Sequence, residues 1–122
     1  LDKREWKLVL KKKINENSIS EIKKYYNSQT IKSITLGKKG SIHIKNKDKY
    51  FSPVFISKTI DTTGCGDAFF AITTLLSMTN ISPKLIPFLG NIYAGIHSQY
   101  FGNSVIVDRI TYLKYIKNLI NL

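Results

Sequence analysis

The chain has 122 residues, 43% of them hydrophobic, and 19 Lys and Arg against 8 Asp and Glu give it a net charge of +11. That is one domain's worth of chain with material for a modest core. A single cysteine excludes an intrachain disulfide and suits a reducing, cytoplasmic setting, and no apolar run nears the ~20 residues of a membrane-spanning helix.

Residues 1–13 mix charges with Trp6, Leu8, Val9 and Leu10 at a spacing closer to a helix than a strand. Ser18-Ile19-Ser20-Glu21 reads as a capping box that starts a helix running to about Asn27, with Ile19, Ile22 and Tyr26 on one face. Residues 31–36 alternate apolar and polar, which predicts a strand. Gly37-Lys38-Lys39-Gly40 is a turn, 41–44 a second strand and 45–49 a polar loop. Tyr50, Phe51 and the β-branched and aromatic run 54–60 continue the sheet, the run reading as a buried strand with Pro53 at its start. His43 alternates with Ile42 and Ile44 and should face the other side of its strand. Neither His43 nor His97 has Cys or His partners at zinc-ligand spacing.

The stretch that carries chemistry comes next, Asp61-Thr62-Thr63-Gly64-Cys65-Gly66-Asp67-Ala68-Phe69-Phe70. It joins the run 54–60 to an apolar, small-residue helix predicted over 64–78. Glycines at such a junction let backbone N–H groups approach a ligand, and the helix presents its positive end there. The arrangement is an anion site. Asp67 stands at the helix mouth, where a carboxylate could take the proton of a hydroxyl next to a phosphate. The alternative is an ordinary helix start with glycines for the turn.

The remaining chain predicts two helices. Ser82 caps the first with Pro83 at its first position, Pro87 marks its true start or a bend, and it runs to about Tyr100, where Gly102-Asn103-Ser104 breaks it. Ala94 and Gly95 point to close packing against the sheet or a ligand. Asp108 caps the second, which runs to about Ile120 with Ile110, Leu113, Ile116, Lys117 and Ile120 at helical spacing. There is no internal repeat.

The string Asp61 to Phe69 resembles the C-terminal signature D-T-x-G-A-G-D-x-F of the ribokinase-like (PfkB) carbohydrate kinases. Only Cys65 departs, where the family usually has Ala; the position supplies a backbone N–H, so a small side chain is tolerated. Thr35-Leu36-Gly37-Lys38-Lys39-Gly40 is similar to the family's T-x-G-x-x-G turn, in the matching order along the chain. The resemblance implies an α/β, ribokinase-like fold, here its C-terminal portion, with helices packed on a β-sheet. It implies ATP-dependent phosphorylation of a sugar hydroxyl, with Asp67 as catalytic base and Gly64, Cys65 and Gly66 as an anion hole for the moving phosphoryl group. Thr35, Gly37 and Gly40 would lie against the nucleotide's phosphates and ribose, and Asn91 beside the adenine. Asp61 and the Thr63 carbonyl, with Gly102 and Ser104 on a closing loop, would hold a monovalent cation such as K+. Mg2+ would bridge the phosphates. Asp2-Lys3-Arg4-Glu5 falls near the family's Asn-x-x-Glu motif, whose Glu positions metal-bound water, but Asp2 replaces the Asn.

The resemblance covers about residues 31–120. Phe88-Leu89-Gly90-Asn91 and Phe101-Gly102-Asn103-Ser104-Val105 are similar to a branch in which a sugar kinase is fused to a nucleotidyltransferase of the heptose-activation type. Complete members are more than twice as long and this chain starts at Leu1, so the expectation is a single domain, 1–122, forming the C-terminal nucleotide-binding part of a larger kinase. Its partners would be a sugar or sugar-phosphate substrate and the N-terminal half that carries most sugar contacts, with room for a homodimer and no membrane. Two other classes compete. One is a non-catalytic module that binds nucleotide or a partner only, against which stand intact Asp61, Gly64, Gly66 and Asp67. The other is a basic nucleic-acid-binding domain, which has only charge in its favour, since the lysines are scattered and no nucleic-acid motif accompanies them.

Overall fold

The computed structural model describes Glu5, Leu8 and residues 31–56, 58–102 and 104–121. Glu5 and Leu8 are helical and exposed. The capping box at Ser18 and the helix expected to Asn27 lie outside the described residues, as do Ser57 and Asn103.

Three strands, β1 (Lys32–Thr35), β2 (Ser41–Lys45) and β3 (Asp48–Ser52), form an antiparallel meander in that order. The register pairs Ile34 with Ile42 and Ile42 with Phe51 on one face, and Ser33 with His43 and His43 with Tyr50 on the other. Ile34, Ile42 and Ile44 are buried on the first face. His43 lies on the opposite face from these isoleucines, yet it too is buried, so β2 is covered on both sides.

Between β1 and β2 the chain makes one 3-10 turn, Gly37–Lys39. Gly40 follows with φ 109, a conformation side chains avoid, and a Cβ there would run into Ser52 O and Pro53 Cα. The loop expected over 45–49 is shorter than that. Lys45 pairs with Asp48, leaving only Asn46 and Lys47 as the turn, and Asn46 takes the left-handed conformation that its side chain tolerates. Polar residues mark a loop only where the strand is not at an edge, and Asp48 and Lys49 open an edge strand.

The buried strand expected over 54–60 does not form. Among the described residues this segment is irregular and pairs with no strand. Pro53 follows the end of β3 rather than starting a strand. Among its described residues only Ile56 is buried, packed on Gly95, while Ile60 is 62% exposed. β-branched composition supplies the propensity, but a strand exists only where a ladder partner satisfies its backbone groups.

Helix α1 spans Cys65–Ser77, α2 Leu85–His97 and α3 Arg109–Ile120. None of the described helices is long and apolar enough to cross a membrane. α1 and α2 approach closely at Gly90, where a Cβ would meet Phe69 and Thr73 side-chain atoms at 2.6 Å. α2 starts later than expected. Leu85 N and Ile86 N donate to Ser82 O and Pro83 O in a turn that precedes it. Pro87 therefore falls in the first helical turn, where its missing N–H costs nothing and no bend is needed. The helix ends at His97 rather than Tyr100, in i−3 turns from Gln99 N to Ile96 O and Tyr100 N to His97 O.

The core between α2 and α3 is built on Ile56, Ile92, Ile96 and Val107, with Tyr93, Tyr112, Ile116 and Leu119 packed against it. Tyr93 and Tyr112 meet edge to face at 5.3 Å, and the Tyr112 hydroxyl donates to Leu89 O. Burial pushes the Tyr112 hydroxyl pKa up, helped by Tyr93, so it stays a donor.

Asp108 caps α3 as its sequence implies, Oδ1 accepting from Ile110 N and Thr111 N and Oδ2 from the Thr111 hydroxyl. The Thr111 bonds, side chain first, hold its carboxyl below the usual range. A depressed carboxylate stabilises the fold above its unfolded pKa, and that contribution is lost as pH falls through the folded pKa. Asp108→Ala is expected to lower Tm by a few degrees near neutrality and to flatten the acid limb of the Tm–pH curve, measured by thermal melts. An unchanged Tm would remove the cap from the account of α3.

Candidate functional site

The junction between the irregular segment and α1 is organised by one carboxylate. Asp61 Oδ1 accepts from Thr63 N at 2.9 Å and from the Thr63 hydroxyl at 2.8 Å; Oδ2 accepts from Gly102 N at 2.9 Å. The first two bonds make a tight turn, and the third ties that turn to a loop 41 residues further on. These bonds, with Thr63 N foremost, hold the Asp61 carboxyl below the usual range. Ile60 N and Asp61 N both donate to Ser98 O, at the end of α2.

Gly64 caps α1 with φ 75, and no side chain among the described residues caps the helix's first N–H groups. Cys65 N donates to Thr62 O, and Ala68 N makes the first helical bond to Gly64 O. Gly66 is exposed and a Cβ there would meet nothing within 4 Å. Gly102, with φ 52, is equally open. The amino end of α1 is thus a glycine-flanked positive pole with no side-chain cap among the described residues and open space at Gly66. Asp67 sits in its first turn, exposed. The Cys65 side chain points away from that pole, its Sγ 3.5 Å from Ala94 O, and burial followed by the Asp61 charge pushes its thiol pKa up.

Gly37 and Gly40 play different parts. Gly37 has φ 61, is exposed and has nothing within 4 Å of a Cβ position, whereas Gly40 is wedged against Ser52 and Pro53. Asn91 is buried, its Nδ2 donating to Ser52 O at 2.8 Å and Pro53 O at 2.9 Å. Asn91 therefore anchors α2 to the backbone that Gly40 leans on, its Nδ2 spent on the two carbonyls and its Oδ1 an acceptor. Thr35 ends β1 next to this turn.

The structure brings Asp61, Thr63, Gly64, Cys65, Gly66, Asp67 and Gly102 together around the amino end of α1. Ser104 belongs to the Gly102 loop, its N–H bonding Phe101 O. Thr35, Gly37, Gly40 and Asn91 form a second group on the sheet side. α2 links the two, with Ala94, His97 and Ser98 at the first and Asn91 at the second. Residues 91, 94, 95 and 98 follow the i, i+3, i+4, i+7 rule, which is the signal that could have assigned Ser98 to this face. His97, whose Nε2 lies 3.2 Å from Thr63 O, carried no such signal.

The donor set is one of hard oxygens. Asp61 and the Thr63 carbonyl suit a monovalent cation. No three His, Cys, Asp or Glu side chains among the described residues form a metal cluster. A Mg2+ ion here would be carried by phosphate oxygens with one or two carboxylates, which is its usual mode. Glu5 is exposed on its helical stretch.

The sequence pattern of the pfkB family carbohydrate kinases matches residues 2–85. No curated protein matches the chain. Among solved structures, a probable sugar kinase protein from Rhizobium etli superposes with a TM-score of 0.80 at 20% identity, over 99% of this chain and 35% of that one. A putative ribokinase from Agrobacterium tumefaciens gives a TM-score of 0.87 at 15% identity, over 99% of this chain and 40% of its own. An uncharacterized sugar kinase from Pyrococcus horikoshii in complex with ATP gives 0.55 at 32% identity, over 61% of this chain and 25% of that one. The chain spans little more than a third of the length of the first two. These likenesses make the fold ribokinase-like.

Proposed function

The chain belongs to the pfkB family of carbohydrate kinases, and from that premise we propose that it is the C-terminal nucleotide-binding part of a larger sugar kinase that uses ATP. The observation that carries the reading is the amino end of α1, uncapped, opened by Gly66 and fronted by the exposed Asp67. The Pyrococcus sugar kinase in complex with ATP supports the choice of nucleotide. Large apolar side chains left open, such as Phe70, Met78 and Ile106 at 67%, 82% and 86% exposure, support a larger assembly that covers some of them.

The acceptor hydroxyl of the sugar gives its proton to the Asp67 carboxylate as its oxygen bonds the γ-phosphorus, and the bond to the ADP oxygen breaks. The N–H groups of Gly64 and Gly66, with the α1 dipole, stabilise charge on the transferring group, while the Cys65 N–H, bonded to Thr62 O, orders the turn between them. Gly37, whose backbone nothing shields, lets the nucleotide approach the 3-10 turn, and Asn91 meets the base. Magnesium, when bound, neutralises the phosphates. The sugar is recognised chiefly outside this chain. The test is transfer of labelled γ-phosphate from ATP to a panel of sugars and sugar phosphates by the whole protein. Saturable transfer to one of them is expected; nucleotide binding without transfer to any would favour a non-catalytic module.

A monovalent cation at Asp61 and the Thr63 carbonyl, closed over by the Gly102–Ser104 loop, would add positive charge next to this pole. Potassium is expected to activate the enzyme severalfold over sodium or a bulky organic cation at constant ionic strength. Asp61→Ala should lower the rate and blunt that response, since it removes a ligand and frees the Thr63 and Gly102 N–H groups together. Equal rates in all three salts would leave Asp61 with its turn-ordering bonds alone.

A further inference from the structure

The turn Thr62–Thr63 protrudes. Both residues are exposed, so packing does not fix their backbone and polar bonds must. The last turn of α2 supplies them from below: Ser98 O holds Ile60 N and Asp61 N, and Ala94 O meets the Cys65 thiol at 3.5 Å. Between these anchors His97, 8% exposed, places Nε2 at 3.2 Å from Thr63 O, across 34 residues of sequence. A carbonyl oxygen only accepts, so the proton of this bond sits on Nε2.

The carbonyl of Thr63 and the N–H of Gly64 belong to one planar trans peptide and point in opposite directions. Whatever holds Thr63 O inward therefore aims Gly64 N–H outward. Gly64 has φ 75 and no Cβ, so the peptide plane on its amino side rotates more easily than elsewhere and needs a latch. We propose that His97 is a positioning residue that, by donating from Nε2 to Thr63 O, fixes the Thr63–Gly64 peptide plane and so aims the Gly64 N–H at the transferred phosphoryl group. The aiming role rests on the kinase reading; the latch itself does not. One lone pair of Thr63 O remains for a cation.

His97→Leu and His97→Gln separate the latch from simple filling of the space. Gln can place an N–H donor near the Nε2 position, and Leu cannot. Leu is expected to lower kcat of the whole protein about tenfold with KM for ATP little changed, and Gln to recover most of the rate. Equal rates for Leu and Gln would overturn the proposal. Two measurements on the wild type and the variants need no activity. Ring 15N shifts should show the Nε2–H form of His97, and amide exchange at residues 63–66 should quicken in Leu more than in Gln. If the wild type phosphorylates nothing while both hold, the kinase reading falls and the latch stands. An Nδ1–H ring, or exchange that Leu and Gln change alike, overturns the latch whatever the activity.

Discussion

Asp67→Asn is expected to cut turnover of the whole protein by about 10²–10⁴-fold, the usual worth of a positioned general base, with ATP affinity close to that of the parent. The substitution keeps the shape of the side chain and removes its basicity. Asp67 is exposed in the first turn of α1 and packs into no core, so the fold does not depend on it. A carboxylate there also interacts favourably with the helix dipole, but that small term bears on stability, not on rate. ATP would be bound by backbone N–H groups and the Gly37 turn, neither of which the change alters. Steady-state kinetics with saturating sugar, paired with equilibrium binding of ATP to the same preparation, separates the two quantities. A variant within a factor of a few of the parent in kcat would remove Asp67 from the proton transfer. A variant that lost ATP binding instead would make Asp67 part of the nucleotide site.

The sequence made this part of the molecule legible because its chemistry is local. Glycine, Asp and the change of period at Cys65 mark the start of α1 within one residue, and Asp108 marks α3 in the same way. Strands β1 and β2 are visible because alternation is read over neighbouring residues. What stayed hidden depends on distant partners. Residues 54–60 have the composition of a strand, but only the fold decides whether a ladder partner lies next to them. Asp61 can be read from its motif as an acid near an anion site, yet its bond to Gly102 N joins residues 41 apart. The family resemblance assigns Asn91 a place beside the adenine as an expectation, but its grip on Ser52 O and Pro53 O depends on where β3 ends. His97 shows the limit most plainly: a lone histidine late in an apolar helix, it contacts the motif only because Ser98 O brings Ile60 and Asp61 to the same helix end.

His43 gives the second large effect, on stability rather than rate. It lies in the central strand between Ser33 and Tyr50 and is fully buried. Its Nδ1 is 2.8 Å from the Ser33 hydroxyl, while Nε2 has no hydrogen-bond partner among the described residues. A charged imidazolium there would lack a second acceptor, and burial first, then the charge of Lys45, lowers its pKa from 6.5 to about 4. The unfolded chain takes up this proton at the ordinary pKa, whereas the folded chain resists until about pH 4. Folding is therefore favoured fully above the unfolded pKa, and stability is lost progressively as pH falls from there toward the folded pKa. At about 1.4 kcal/mol per unit the loss reaches roughly 3 kcal/mol, a large share of the ~5–15 kcal/mol that holds a typical domain. Carboxylates contribute their own losses at more acid pH, so the comparison must be with a variant. His43→Leu removes the titrating ring and the unpartnered nitrogen together, and near pH 8 it should sit within about 1 kcal/mol of the parent. Urea unfolding midpoints from about pH 8 to about pH 4.5 should then fall steeply for the parent and shallowly for His43→Leu, the curves converging or crossing as acid is added. Parallel curves would mean that the strand accommodates the charged ring, and that His43 does not set the acid limit of this fold.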